Sequence, residues 1–205
     1  MLKKEETDIM KMKLLIIPLT LFLLVSFSLP EEVIVWKEGI VLQSSNFKGK
    51  NPNDGGVMST TCDIDKKIIT YDDSAIVNIE AIFLPSRSWQ RKGKNEADLL
   101  MHEQKHFDIA ELYSRKLRKL IKGSEFNNSD ELSLELSHYH KKIMEELDHY
   151  QDKYDNKTDH SINGTEQRKW NKKVAKELAY LDFYKDTRIV VYFKRSITPD
   201  QTTVK

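Results

Sequence analysis

The chain has 205 residues, of which 32% are charged, and its 33 lysines and arginines nearly balance 32 aspartates and glutamates for a net charge of +1. That balance argues against a nucleic-acid partner, which would demand a surplus of basic side chains. The single cysteine, Cys62, excludes an internal disulfide and any C-x-x-C zinc knuckle, and it reads as a small buried hydrophobe.

Residues 1–30 read as a targeting segment. Lys11 and Lys13 precede the apolar run Leu14–Leu29, small residues stand at Ser26 and Ser28, and Pro30, Glu31 and Glu32 follow. A basic start, a short apolar stretch and small residues at its end describe a secretory signal cleaved near Ser28. An uncleaved N-terminal anchor is the alternative, and it would be the protein's only contact with a membrane. Either way the remainder is expected outside the cytoplasm, secreted or in the periplasm or cell envelope. Residues 31–197 then form one domain, with a polar tail over 198–205.

From Val33 to Phe83 the pattern is β. Ile34–Trp36 and Ile40–Leu42 are short β-prone runs, and Phe47–Gly56 is a loop rich in turn residues. Met58–Thr70 and Ala75–Leu84 alternate as strands joined by a hairpin connection at Tyr71–Ser74. Pro85 ends the second, and Ser86–Asn95 leads into a helix. That first helix is expected over Glu96–Lys122, stopped by Gly123. A second begins near Ser129 or Asp130, with Leu132, Leu136, Ile143, Leu147 and Tyr150 three and four residues apart. After a loop beginning near Tyr154 comes a third helix, Thr165–Tyr184, and a last strand, Thr187–Lys194. The fold class is therefore α+β: N-terminal antiparallel strands, three helices and a C-terminal strand, with a zincin-like arrangement expected.

The first helix carries the chemistry. Within Leu99–Leu120 stands HEQKH, His102 to His106, an H-E-x-x-H motif. On a helix, residues four apart share a face one turn apart, so His102 and His106 can direct their imidazoles at one ion, with Glu103 beside them. With His102 at zero, His106 falls at about 40° and Glu103 at about 100°, on the same side as Ile109, Tyr113, Leu117 and Leu120. The histidines thus lie on the core-facing stripe, where an imidazole needs a polar partner, and a metal supplies one. Glu111, at about 180° from His102, points away and is rejected as a ligand.

Catalytic zinc takes three protein ligands and keeps one position open. The third is sought in Tyr154–Trp170, where His160 is the first choice because imidazole suits zinc. Asp155 follows, then Glu166 or a residue of the second helix. Asp155 and Asp159 also fit as carboxylates orienting an imidazole, and Tyr154 as a donor to a developing oxyanion. His138, His140 and His149 read as polar or boundary positions, with His140 able to share the inward face.

The blocks FKGK (Phe47–Lys50), MSTTCDI (Met58–Ile64), Ser88–Trp89, Leu99–Leu117 and Tyr154–Trp170 resemble, in order, the bacterial family described as predicted secreted zinc-dependent proteases. The resemblance implies that His160 matches the histidine of the family's Y-D-x-x-T-x-H block. The glycine that often follows it is replaced here by Ser161. Together these readings predict a zinc-dependent metallopeptidase acting on a peptide or protein. His102, His106 and His160 would hold the metal, Glu103 would be the general base and Tyr154 an auxiliary donor. Hydrolysis of cell-wall peptides or amides, and a non-enzymatic metal-binding envelope protein, are the alternatives.

Overall fold

The computed structural model describes residues 31–51, 57–91 and 96–194. The segment 1–30 expected to be a targeting signal, the expected polar tail and parts of the two loops before and after the Met58–Gln90 region lie outside the described residues. No helix among the described residues is long and apolar enough to cross a membrane.

The strands come first: β1 (Ile34–Val35), β2 (Met58–Ser59), β3 (Cys62–Thr70), β4 (Ser74–Phe83) and β5 (Trp89–Gln90). Three helices follow, α1 (Glu96–Gly123), α2 (Ser129–Thr158) and α3 (Gly164–Tyr180), and then β6 (Arg188–Tyr192). The protein is α+β with antiparallel pairing throughout the named strands. β4 is the central strand. It pairs with β3 along its length, from Thr70↔Ala75 at the turn to Cys62↔Phe83. Its other edge is shared by β1 at Phe83 and by β6 at Ser74–Asn78. Alternate residues of β4, from Ala75 and Val77 to Ala81 and Phe83, are buried against the helices, the pattern of a sheet covered on one face.

The structure differs from the sequence expectation in three main places, besides the short strand β5 inside the expected Ser86–Asn95 lead-in and the end of α3 at Tyr180 rather than Tyr184. Ile40–Leu42 forms no strand, although Leu42 is buried and its N–H donates to Gln104 Oε1 at 2.8 Å. The expected strand Met58–Thr70 is two, because the chain leaves β5 and joins β4 across Thr60–Thr61. Ser88 makes the step: fully buried, its hydroxyl donates to Leu84 O and accepts from Thr61 N, both at 2.9 Å. Finally, α2 runs on to Thr158, so Tyr154 and Asp155 are helical rather than in a loop. The physical reason is that the buried stripe of Leu147 and Tyr150 continues through Tyr154 and Thr158, both fully buried.

α1 lies in the middle of the molecule and is buried on nearly every side. Glu111, Arg115 and Arg118 do point away from the histidines, but into protein. The Glu111 carboxylate takes bonds from Arg115 Nε at 2.8 Å and Arg118 Nη2 at 2.7 Å. Arg115 continues to Leu178 O and Arg118 to Lys185 O, which ties α1 to the end of α3 and to the turn that follows it. Breaking such a buried pair by removing one partner costs about 3–5 kcal/mol. Gln104 and Asp108 clasp the N-terminal segment after β1 in the same way, Asp108 accepting from the Trp36 indole at 3.0 Å. The FKGK block is structural as well. Gly49 N donates to Ser88 O at 2.8 Å, and a Cβ on Gly49 would stand 2.8 Å from Ser86 O, so only glycine fits the approach.

Candidate metal centre

His102, Glu103 and His106 occupy the second and third turns of α1, and Asp155 comes from the last turn of α2. The Nε2 atoms of His102 and His106 lie 3.0 and 2.9 Å from Asp155 Oδ1 and 3.2 Å from each other. One ligand atom from each of the three residues falls within 4.8 Å of the other two, and the cluster can hold a metal ion.

The outer nitrogens show which tautomers face this point. His102 Nδ1 lies 3.0 Å from Gln167 Oε1, and His106 Nδ1 bonds to Gln151 Oε1. A carboxamide oxygen only accepts, so each Nδ1 carries the proton and each Nε2 turns a lone pair inwards. The Gln167 amide nitrogen is committed elsewhere, donating to the Tyr154 hydroxyl at 2.7 Å and to Asn171 Oδ1 at 2.9 Å. Two imidazole lone pairs and a carboxylate oxygen therefore converge. They repel unless a cation or a proton lies among them. A metal cation satisfies all three at once, so the residues present fit the ion that the motif implies.

The electrostatics agree. Burial opposes ionisation of Asp155, but hydrogen bonds to both imidazoles outweigh it and hold the carboxyl well below the usual carboxylate range. For His106, burial alone would lower the pKa; the Asp155 bond and the Glu103 and Asp155 charges reverse this and raise it.

Around the cluster opens a cleft of about 1020 Å³ whose lining includes Glu103, Cys62, Trp89 and the stretch 57–61. Glu103 is only 5% exposed, and it makes no hydrogen bond or ion pair with the described residues. Its carboxylate is free to engage a water in the cleft. Burial, and then the Glu103 charge, push the Cys62 thiol pKa up well above its ordinary value, which keeps the sulfur unreactive.

Two of the expected site residues stand elsewhere. His160 was the first choice for third ligand, yet its side chain is 74% exposed at the cleft rim, with Nδ1 3.9 Å from Asp155 Oδ2. The structure brings Asp155 to the histidine pair instead, because α2 continues far enough to project it beside them. His160 follows the helix end, in a run of three left-handed residues, Asp159, His160 and Ser161. Tyr154 is fully buried and is not a donor to the cleft. Its hydroxyl donates to His102 O at 3.1 Å and its ring stacks on the His102 imidazole at 4.6 Å. It packs against His102 and does not line the cleft. Glu166 pairs with Lys169 at 2.6 Å on the surface. His138 and His149 are exposed, and His140 bonds to Ile64 O. Gln151 and Gln167 escaped the sequence reading. The available signal was the α2 stripe itself: extended by two turns past Leu147, it carries Gln151 and Asp155 to the histidines.

An α+β protein with a two-histidine, one-carboxylate cluster is the class these observations define. Residues 85–161, from the end of β4 through α2, match the family described as Bacterial protein of unknown function (DUF922). The matched stretch holds His102, Glu103, His106, Asp155 and His160, and its similarity is to a bacterial domain of unknown function. No curated protein and no solved structure matches the chain.

Proposed function

We propose that this protein is a zinc-dependent peptidase with a zincin-like site, working outside the cytoplasm, in which His102, His106 and Asp155 hold the metal. One observation carries the reading: two imidazole Nε2 atoms and a carboxylate oxygen converge while both Nδ1 protons are directed at glutamine oxygens. A set of two nitrogens and one oxygen suits zinc and leaves the fourth position to the cleft. When bound, the ion supplies a Lewis acid that makes water nucleophilic near neutral pH.

The remaining work belongs to the chain. Glu103, beside the histidines and free of other partners, takes a proton from the attacking water on its carboxylate and hands it to the leaving amine. Gln151 and Gln167 keep both imidazoles in the tautomer that presents Nε2. Tyr154 braces His102 from behind through its ring and hydroxyl.

The test is metal analysis of the purified protein together with peptide hydrolysis by the wild type and by Glu103→Gln. Stoichiometric zinc, with hydrolysis that falls at least about a hundredfold in the variant, is the expected result for loss of a general base. A protein without bound metal refutes the reading. Full activity in Glu103→Gln refutes the role of Glu103.

A further inference from the structure

Charge balances over the whole chain, but not where the outer sides of α1 and α3 meet. A groove of about 630 Å³ lies there, with the buried Leu112 and Leu181 among its lining. Lys116 and Lys119 of α1 and Lys173 and Lys176 of α3 border it, and Glu177 is the single acid among the lining residues. Lys116 stands ten residues beyond His106, about 15 Å along α1 at ~1.5 Å per residue. No residue lines both this groove and the metal cleft.

These lysines are held in place without being neutralised. Lys116 Nζ sits 3.6 Å from the centre of the Tyr113 ring, and Lys173 Nζ 4.3 Å from that of Trp170. The stems pack on aromatic faces while the ammonium groups keep their charge. Glu177 accepts from the Tyr150 hydroxyl at 2.8 Å and lies 3.9 Å from Lys173 Nζ. Lys116, Lys119 and Lys176 form no ion pair with the described residues. Burial pushes the Lys116 pKa down, the Lys173 charge adds to this, and the charges of Glu177 and Glu146 offset only part of it. An anion set against the row relieves that cost.

Two aromatic rings extend the same face. Tyr180 lines the groove and is 81% exposed. Phe183, 78% exposed, follows in the single turn Asp182–Tyr184, with Lys122 Nζ 5.0 Å from its ring centre. Lys122 comes three residues after Lys119 on α1, so the lysine row runs on to the rings. Asp182, the acid beside them, is engaged by Lys185 at 3.3 Å and Arg115 at 3.8 Å. Rings that project freely beside unpaired lysines suit a bilayer interface, where aromatic side chains sit at headgroup level and ammonium groups meet lipid phosphates. An acidic protein would have to offer a recess for each ring, whereas a lipid surface yields to both. We propose that this face docks on an anionic phospholipid bilayer, with the lysines against headgroup phosphates and Tyr180 and Phe183 among the headgroups. Docking here goes beyond the peptidase reading and does not depend on it.

The test is binding of the full chain to phosphatidylcholine vesicles with and without about one-third phosphatidylglycerol. The wild type should bind the anionic vesicles at least about tenfold more tightly, and lose that margin between ~0.1 and ~1 M salt, as the screening length falls from ~10 to ~3 Å. Lys119→Gln combined with Lys176→Gln should weaken anionic binding about twentyfold, at roughly fivefold per lysine. Lys141→Gln combined with Lys142→Gln, exposed on α2 and outside the groove, removes the same charge and should cost less than about threefold. Phe183→Ser should weaken binding several-fold. The apolar run Leu14–Leu29 is common to every variant, so differences between them report on this face. If that run alone holds all of them on every vesicle, amide hydrogen exchange over residues 176–185 decides. Slower exchange on anionic than on neutral vesicles, lost in the Lys119 and Lys176 variant, supports docking, and equal exchange on both overturns it. Equal binding of both vesicles, equal weakening by the two double variants, or binding of polyglutamate without binding of anionic vesicles overturns the proposal.

Discussion

Replacing Gln167 with leucine removes the oxygen that fixes the His102 tautomer while keeping the side-chain volume close. Gln167 is 3% exposed and makes three bonds, to His102 Nδ1, to the Tyr154 hydroxyl and to Asn171. With leucine in place the His102 N–H is buried without an acceptor, and the imidazole is free to turn or to take the other tautomer. Losing such an outer partner costs ~10–100-fold in metal affinity, about 1.4–2.8 kcal/mol. Leaving a buried donor unpaired costs about 1–3 kcal/mol of stability, which in a domain of this size lowers Tm by ~2–4 °C per kcal/mol. Gln167→Glu keeps the acceptor and turns it into a carboxylate, so its zinc affinity should equal or exceed the wild type. Competition against a chromogenic chelator, with circular dichroism to verify folding, measures both. A folded Gln167→Leu protein that binds zinc as tightly as the wild type would show that Gln167 does not position His102.

Three further outcomes are expected. Asp155→Asn should lose zinc on dialysis, whereas His160→Ala should keep it to within about fivefold, since the exposed His160–Asp155 contact at 3.9 Å is worth at most ~1 kcal/mol; the opposite pattern, read by elemental analysis, would return the third ligand to His160. Ser161 sits at φ 80 in the left-handed region that favours glycine, so Ser161→Gly should stabilise the fold by ~1 kcal/mol in urea titrations, and a loss of stability would mean the turn is not strained there. Because the folded His106 pKa is raised above its ordinary 6.5, the metal-free protein keeps the His106–Asp155 pair below that ordinary value and loses it as pH rises through the raised one. Zinc must displace the same proton, so its affinity should climb with pH and level off once His106 is neutral, while the Asp155 carboxylate, ionised throughout, adds no slope. A pH-independent affinity would contradict the raised pKa.

Much of the fold was readable because its signals are local. The β3–β4 hairpin follows from alternation broken at Tyr71–Asp73, and α1 from a periodic stripe ended at Gly123. The readable part of the site is the His102–His106 pair, whose spacing has one meaning on a helix. Glu111 illustrates a partial reading: helical phase alone turned it away from the histidines, yet its burial between Arg115 and Arg118 depended on α3 and the turn after it. The Tyr154–Thr158 segment reads as loop because its Asp155 and Asn156 are turn-prone, and burial of Tyr154 and Thr158 outweighs that propensity.

By itself, then, the amino-acid sequence determined the elements carried by short-range patterns: the β3–β4 hairpin, the last strand, the three helices and one helix face bearing two histidines and a glutamate. Tertiary structure alone decided what meets that face. Asp155 reaches it because α2 packs antiparallel to α1 and stays helical to its end, Gln167 because α3 lies on the other side, and the Met58–Cys62 stretch because Ser88 holds the step between two sheets. These residues lie roughly forty to sixty-five positions from the histidines, and no periodicity of ~3.6 or 2 residues extends that far. Convergence at that separation is set by which surfaces bury each other, and a lone pair finds its partner only after they have done so.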